Sequence, residues 1–250
     1  MDHLASILEL YSLQSEIEWK SGLHKKFNDF LLVNNRLFAV VSKIGYKAVI
    51  GVAATLTELI TQRTKRFYPD IDAQQFAPKI ESLWAGAIDP LYLKTFHFGY
   101  DYRDGDGVII PFYPNWHVII YLIGDYMENS YYTHNYLMNL SMLARHLMPN
   151  KKLFDNWFAE TMRKTTETFP CLYDYNDLNR NDYGAKYDCS ADIPVPREFF
   201  FDSEFQYSED TAKPVLNAFL QSLDYNNNPW LCTPEEMLEK GFQGTPYKVG

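Results

Sequence analysis

The sequence has few cysteines and lacks the short motifs that usually bind metals or nucleotides. Its 250 residues include only three cysteines, at positions 171, 189 and 232. None of them belongs to a CxxC pair, and no HExxH occurs, so the sequence does not indicate a zinc site. Glycine-rich phosphate loops and the GxSxG motif are absent as well. We therefore expect neither a metal nor another cofactor.

Long hydrophobic runs are also missing. The segment that comes nearest to one, Ala48–Leu59, has only ten residues between the charges of Lys47 and Glu58. A membrane-spanning helix needs roughly 20 apolar residues, and shorter runs are typical of buried core helices. No basic region precedes an apolar stretch at the N-terminus, so the sequence shows no secretory signal. Together with the odd number of cysteines, these features predict a cytoplasmic protein without a membrane partner.

Aromatic and acidic residues are abundant. The chain contains 5 Trp, 19 Tyr and 17 Phe, and its formal net charge is −9. The charge is uneven, since residues 1–69 carry +3 and residues 170–250 carry −8. An acidic surface repels nucleic acid and attracts a basic protein, and tyrosine offers a large contact area at a low cost in conformational entropy. Alternatively, the acidic part lies on the basic part of the same chain.

The hydrophobic pattern predicts a mainly α-helical protein, built as a helical bundle or as solenoid-like helical hairpins. Residues 1–169 form the expected helical core. Within it, Leu37–Ile60 is apolar on nearly all sides, which is typical of a helix at the centre of a domain, and small residues such as Gly51 let a neighbour approach closely. Residues 170–250 predict an irregular, aromatic and acidic C-terminal extension that packs on this core within one domain overall.

Local signals place several helix ends. Pro149-Asn150 separates two predicted helices, 131–148 and 151–169. Thr233–Glu236 forms a capping box with proline at the first helical position. Val108–Tyr113 predicts a short extended segment, and Asn115 is expected to cap the helix that follows.

We interpret the chain as a non-enzymatic protein-binding protein whose acidic, tyrosine-rich surface captures a basic protein. A bacterial immunity protein, which neutralises a toxin, has this general character, although the chain shares no motif with such proteins. The extension holds the tyrosines and aspartates that we expect to contact the partner. These candidate partner-binding residues are Tyr173, Asp174, Tyr175, Asp177, Asp182, Tyr183, Tyr187 and Asp188.

The alternative is an enzyme of unknown class with a histidine–carboxylate site between the helical core and the extension. Two carboxylates three residues apart can face the same way on a helix, and paired carboxylates can perform acid–base chemistry. Two histidines separated by 12 residues can also share a helix face. The catalytic candidates of this alternative are His117, Asp125, Glu128, His134 and His146.

Overall fold

The computed structural model confirms that the protein is mainly α-helical. It describes residues 19, 23–27, 34–68, 76–94, 111–130, 132–172 and 188–250. Within these ranges there are ten α-helices and two 3-10 turns, and the only extended pairings are two isolated β-bridges. In the same residues, no helix is both long and apolar enough to cross a membrane.

The helices are numbered in chain order. They are α1 (Leu23–Phe27), α2 (Asn35–Val41), α3 (Tyr46–Phe67), α4 (Ala77–Gly86), α5 (Phe112–Met127), α6 (Thr133–Leu147), α7 (Lys151–Thr168), α8 (Glu198–Phe201), α9 (Glu209–Ser222) and α10 (Pro234–Glu239). The 3-10 turns are Pro90–Tyr92 and Cys189–Ala191.

Helix α3 is the centre of the protein, as its apolar pattern predicts. Seventeen of its 22 residues are buried, and it packs against α4, α5 and α6. The close neighbour at Gly51 comes from the C-terminal extension. A Cβ atom at this glycine would lie 3.0 Å from Cγ1 of Val195 and 3.1 Å from Cε2 of Phe200. Glycine is therefore needed here because the extension lies directly on the helix backbone.

The apolar stretch that includes α3 contains a break that its sequence pattern does not show. Helix α2 ends at Val41 and α3 begins at Tyr46. Between them, Ile44 forms an antiparallel bridge with Pro170, and the backbone N–H of Gly45 donates to the carbonyl of Phe169 at 3.0 Å. The residues that follow α7 therefore contact the segment just before α3 and fix the point where α3 begins.

The structure also corrects the expected start of α5. This helix begins at Phe112, so the prediction of an extended segment is wrong for residues 112 and 113, while residues 108–110 lie outside the described ranges. Asn115 lies inside the helix and is buried, so it does not cap it. Other end signals are confirmed: Asn150 caps α7, and Thr233 and Glu236 form the capping box of α10.

The described part of the extension, residues 188–250, packs on the core and adds a second hydrophobic cluster. This cluster joins Tyr92 of the core to Leu216, Leu220, Met237 and Tyr247 of the extension. Backbone pairing supports the contact, since Leu93 bridges Leu231.

Charged groups also hold the extension against the helical core, at two places. The carboxylate of Glu58 in α3 accepts hydrogen bonds from Nε1 of Trp84 at 2.7 Å and from both Nε and Nη2 of Arg197, at 3.0 and 2.8 Å. At the start of α3, the backbone N–H of Lys47 donates to Oδ2 of Asp192 at 3.2 Å, and its ammonium donates to the Asp192 carbonyl at 2.9 Å. Asp192 therefore supplies an acceptor to the first turn of a helix whose N-cap is a glycine.

Candidate functional site

Most of the predicted partner-binding residues lie outside the described ranges. Seven of the eight candidates fall within residues 173–187, which lie outside these ranges. The eighth, Asp188, is the one that the structure describes. Asp188 is exposed, and its Oδ1 accepts a hydrogen bond from the backbone N–H of Ser190 at 2.9 Å. Hydrogen bonds from Ser190 lower the pKa of Asp188. In the folded chain this aspartate caps a 3-10 turn.

The rest of the extension turns its aromatic rings inward. Residues 188–250 contain ten aromatic residues, all of them buried or half-buried. Tyrosine hydroxyls find backbone carbonyls there, as Tyr247 does when it donates to Cys232 at 2.6 Å. The same residues contain eleven acidic and four basic side chains. The acidic ones that are exposed are Asp188, Asp202, Glu204, Glu209, Asp210, Asp224, Glu235 and Glu239.

The expectation that the extension displays its rings is therefore wrong for residues 188–250. The physical reason is that this part of the chain has few aliphatic residues and must use its rings to make a core with the helices beneath it. Eight of its eleven acidic side chains do face the solvent, so this surface is acidic without being aromatic.

Two of the three candidate histidines have separate, local partners. His134 in α6 is fully buried, and its Nε2 lies 2.8 Å from the carbonyl of Ile44. Because Ile44 can only accept, that nitrogen carries the proton. Burial lowers the pKa of His134 to about 4, although the hydrogen bond to Ile44 opposes the shift. His146 packs against the rings of Phe27 and Trp19 at centroid distances of 5.3 and 6.0 Å.

The remaining candidates lie on α5 or directly after it. The ring of His117 is 5.0 Å from that of Tyr121, which is stacked on Tyr136 of α6 at 6.0 Å. Asp125, one turn after Tyr121, accepts hydrogen bonds from the side chains of Tyr136 and Ser130.

Glu128 and Tyr132 complete this surface. Glu128 follows directly on α5, is exposed, and is near enough to Asp125 to affect its titration. Tyr132 precedes α6 and is exposed too. We call the set Tyr121, Asp125, Glu128, Tyr132 and Tyr136 the tyrosine–carboxylate face.

The electrostatics of this face favour a cation. Burial raises the pKa of Asp125, whereas the hydrogen bonds from Ser130 and Tyr136 favour its ionised form. Burial and the charge of Asp125 raise the pKa of Tyr136, which keeps that phenol protonated as a donor. Burial lowers the pKa of His117, so this imidazole adds no positive charge at neutral pH. No lysine or arginine occurs between Arg103 and Arg145.

The face is also where the exposed aromatic surface is found. Tyr121 is 43% exposed and Tyr132 is 37% exposed, and every other aromatic side chain that the structure describes is at least half-buried. Tyrosine is enriched among the residues that contribute most of the binding energy at protein interfaces. In the described parts of the chain, no three histidine, cysteine, aspartate or glutamate side chains converge as a metal site would require.

No family model matches this chain, and no curated protein or solved structure is significantly similar to it. Its function is therefore to be sought in the chemistry of its own surface.

Sequence reasoning missed the three tyrosines of the face. A signal for them exists, because the stretch between Arg103 and Arg145 contains six tyrosines and no basic residue. The sequence could not show which of these rings would be buried in the core. Tyr126, for example, is fully buried and donates to the carbonyl of Gly86 at 2.7 Å.

Proposed function

We propose that this chain is a non-enzymatic protein that binds a basic protein partner through the tyrosine–carboxylate face. One observation carries the proposal: the exposed tyrosines, Tyr121 and Tyr132, stand beside acidic residues on a helix pair that has no lysine or arginine before Arg145. A guanidinium or ammonium group can pair with a carboxylate while it lies over a tyrosine ring.

The acidic extension has a second role in this proposal. Its eight exposed carboxylates in residues 188–250 create a negative field around the protein. Such a field speeds the encounter with a cationic partner and discourages binding to nucleic acid. The face then supplies the short-range contacts, and the extension supplies long-range attraction.

We further propose that the protein acts in the cytosol and that its partner is a cationic toxin. All three cysteines are free thiols, which fits a reducing compartment. The protein would neutralise such a toxin by covering its basic surface. Bacterial immunity proteins likewise neutralise their cognate toxins by binding them. This finer proposal rests on charge complementarity and on the expectations from the sequence.

The test is a titration of the full chain with an arginine-rich peptide by isothermal calorimetry at low salt, beside an acidic peptide of the same length. We expect the cationic peptide to bind and the acidic one not to bind. Replacing both exposed rings (Tyr121→Ala with Tyr132→Ala) should weaken binding by about 5- to 30-fold, since each exposed cation–π contact contributes about 0.5–1 kcal/mol.

The matched control keeps the rings and removes only the hydroxyls, in the double variant Tyr121→Phe with Tyr132→Phe. It should bind almost as tightly as the wild type because a phenylalanine ring also attracts a cation. Equal affinity of the wild type and the double alanine variant would refute the face as the binding surface. A wild-type protein that ignores cationic peptides would refute the proposal as a whole.

The enzymatic alternative stays a prediction with fewer residues behind it. Of its five candidates, Asp125 and Glu128 are neighbours and His117 contacts the ring of Tyr121, while His134 and His146 contact Ile44 and Phe27 elsewhere. A catalytic site there would need a pair of groups with opposite protonation states. Substitution of His117 would separate the readings, because peptide binding should survive it.

A further inference from the structure

Two rings of the tyrosine–carboxylate face lie nearly parallel to each other. The rings of Tyr121 and Tyr136 are stacked, with an interplanar angle of 22° and a centroid distance of 6.0 Å. The ring of His117 also contacts Tyr121, at 5.0 Å, so neighbours from both α5 and α6 hold the plane of this ring. Because Tyr121 is 43% exposed, it offers the solvent a flat aromatic surface of fixed orientation.

The arrangement of these rings decides which cation they suit. A methylated ammonium group is bound by a cage of aromatic rings that surround it. A guanidinium group is planar and stacks on a single aromatic face. Since the planes of Tyr121 and Tyr136 differ by only 22°, this pair of rings is a flat platform and not two walls of a cage. The platform therefore favours the planar cation.

The carboxylate next to the platform is held in place as well. Asp125 lies one helical turn after Tyr121 in α5, so the two side chains share one side of the helix. It accepts hydrogen bonds from the side chains of Ser130 and Tyr136. A carboxylate has about four acceptor positions, so these two bonds orient it and leave room for a ligand that donates twice. Guanidinium is such a ligand, because it carries parallel N–H donors at a fixed spacing.

Partial burial of this carboxylate adds to the preference for guanidinium. Asp125 is half-buried, and burial raises its pKa, so its charge is poorly compensated by water. A cation that pairs with it must also give up part of its own hydration. Guanidinium is more weakly hydrated than ammonium, so this step costs arginine less than lysine.

We infer, on the basis of the proposed function, that the face selects arginine over lysine in its basic partner. One guanidinium group lies on the ring of Tyr121 and donates two hydrogen bonds to Asp125. Tyr121 and Asp125 are then the specificity-determining residues of the face. A lysine-rich segment of equal charge is attracted by the same negative field but lacks these short-range contacts.

The test compares peptides that differ only in their cationic head groups. A short peptide of alternating lysine and glycine is used in three forms: unmodified, guanidinylated at each lysine, and trimethylated at each lysine. Calorimetry with the full-length wild type at one low salt concentration measures the three affinities. The guanidinylated form should bind more tightly than the unmodified form by on the order of 10-fold, because only guanidinium combines stacking with two parallel hydrogen bonds. Their equal charge makes the long-range attraction the same.

Two single variants show where the selectivity arises. Asp125→Asn should bring the affinity ratio of the guanidinylated and unmodified peptides down to about one, because an amide cannot accept a charge-assisted pair of hydrogen bonds. Glu204→Gln is the matched control, since it removes an exposed carboxylate of the extension. It should weaken both peptides alike and leave their ratio unchanged. An undiminished ratio in Asp125→Asn would overturn the role of this carboxylate in the selection of arginine.

Arginine selectivity and the proposed function fail in different ways. Equal affinity of the wild type for the guanidinylated and unmodified peptides would overturn the selectivity and leave the binding of a basic partner intact. Tightest binding of the trimethylated peptide would overturn it too, because that result requires a cage. If none of the three peptides bound, the proposed function would fail and the selectivity would fail with it.

Discussion

The C-terminal extension and the α5–α6 pair contain the same residue types but arrange them in opposite ways. In residues 188–250, aromatic rings lie inside and most carboxylates lie outside. On the tyrosine–carboxylate face, exposed rings and carboxylates stand side by side. The difference follows from what else each region has to bury. Helix α5 covers the core with aliphatic residues such as Ile119, Leu122 and Ile123, so Tyr121 on its other side is left to the solvent.

The largest effect is expected from removing one aromatic ring from each region and comparing the loss of stability. Phe200 is buried against Trp84 and the backbone of α3 at Gly51. Phe200→Ala should lower the free energy of unfolding by about 3–5 kcal/mol, because it deletes a packed ring and leaves a cavity. Tyr132→Ala should change it by less than about 0.5 kcal/mol, since surface substitutions rarely do more. Urea unfolding followed by circular dichroism measures both.

Equal effects of these two substitutions would contradict the contrast. A small effect of Phe200→Ala would mean that the extension is only loosely attached to the core. A large effect of Tyr132→Ala would mean that the face belongs to the core.

The next test uses a buried cation that the extension helps to cover. Nζ of Lys79 in α4 lies 5.7, 5.0 and 5.4 Å from the ring centroids of Phe76, Trp116 and Trp230. Burial lowers the pKa of Lys79 from 10.5 to about 8. Between these values the unfolded chain binds more protons, so stability should rise as the pH rises from about 8 towards 10. The gain should be no more than about 3 kcal/mol, since the rings attract the ammonium.

Unfolding curves of the wild type and Lys79→Met at several pH values check this sign. The variant should lack the rise, because it has no proton to lose. Above about pH 10 both proteins should become less stable, since burial raises the pKa of tyrosines such as Tyr126 and the unfolded chain ionises first. A wild-type stability that falls between pH 8 and 10 would contradict the burial of Lys79 as a cation.

A smaller effect is expected at the ion pair that holds the extension. Glu58 is mostly buried and receives two hydrogen bonds from Arg197 and one from Trp84. Glu58→Gln should cost about 1–2 kcal/mol, because it replaces charge-assisted hydrogen bonds by neutral ones. The surface pair of Arg163 with Glu167 offers a matched control, and Glu167→Gln should have almost no effect. Thermal unfolding of both variants separates the two environments.

Much of the helical architecture could be predicted from periodicity and end signals. The central position of α3, the break before Asn150 and the cap at Thr233 follow from local sequence, since propensity and capping act over a few residues. The break at Ile44 could not be predicted, because it depends on a bridge to Pro170 and on His134, both distant in sequence. Local signals contain no information on such partners.

The candidate site was predictable in composition but not in place. Acidic and tyrosine-rich character can be counted from the sequence, and it led to the extension, where both are abundant. Whether a tyrosine such as Tyr207 or Tyr121 is exposed depends on the neighbours that the fold brings to it. Tyr207 packs edge-on against Phe169 at 4.9 Å, and burial raises its pKa to about 12, whereas Tyr121 remains open to solvent.

The smallest effects are expected from two double variants that compare the loss of local contacts on the face with the loss of overall negative charge. Asp125→Asn with Glu128→Gln removes two carboxylates from the face, and Glu204→Gln with Glu239→Gln removes two exposed ones from the extension. Both double variants change the net charge equally. If the face makes the short-range contacts, the first should weaken binding of an arginine-rich peptide by about 2- to 30-fold, since exposed ion pairs contribute about 0.2–1 kcal/mol each. The second should mainly slow association at low salt, because distant charges steer the encounter without touching the ligand. Stopped-flow kinetics at two salt concentrations distinguishes these outcomes. Identical behaviour of the two variants would contradict a specific role of the face, because binding would then depend only on the overall negative charge.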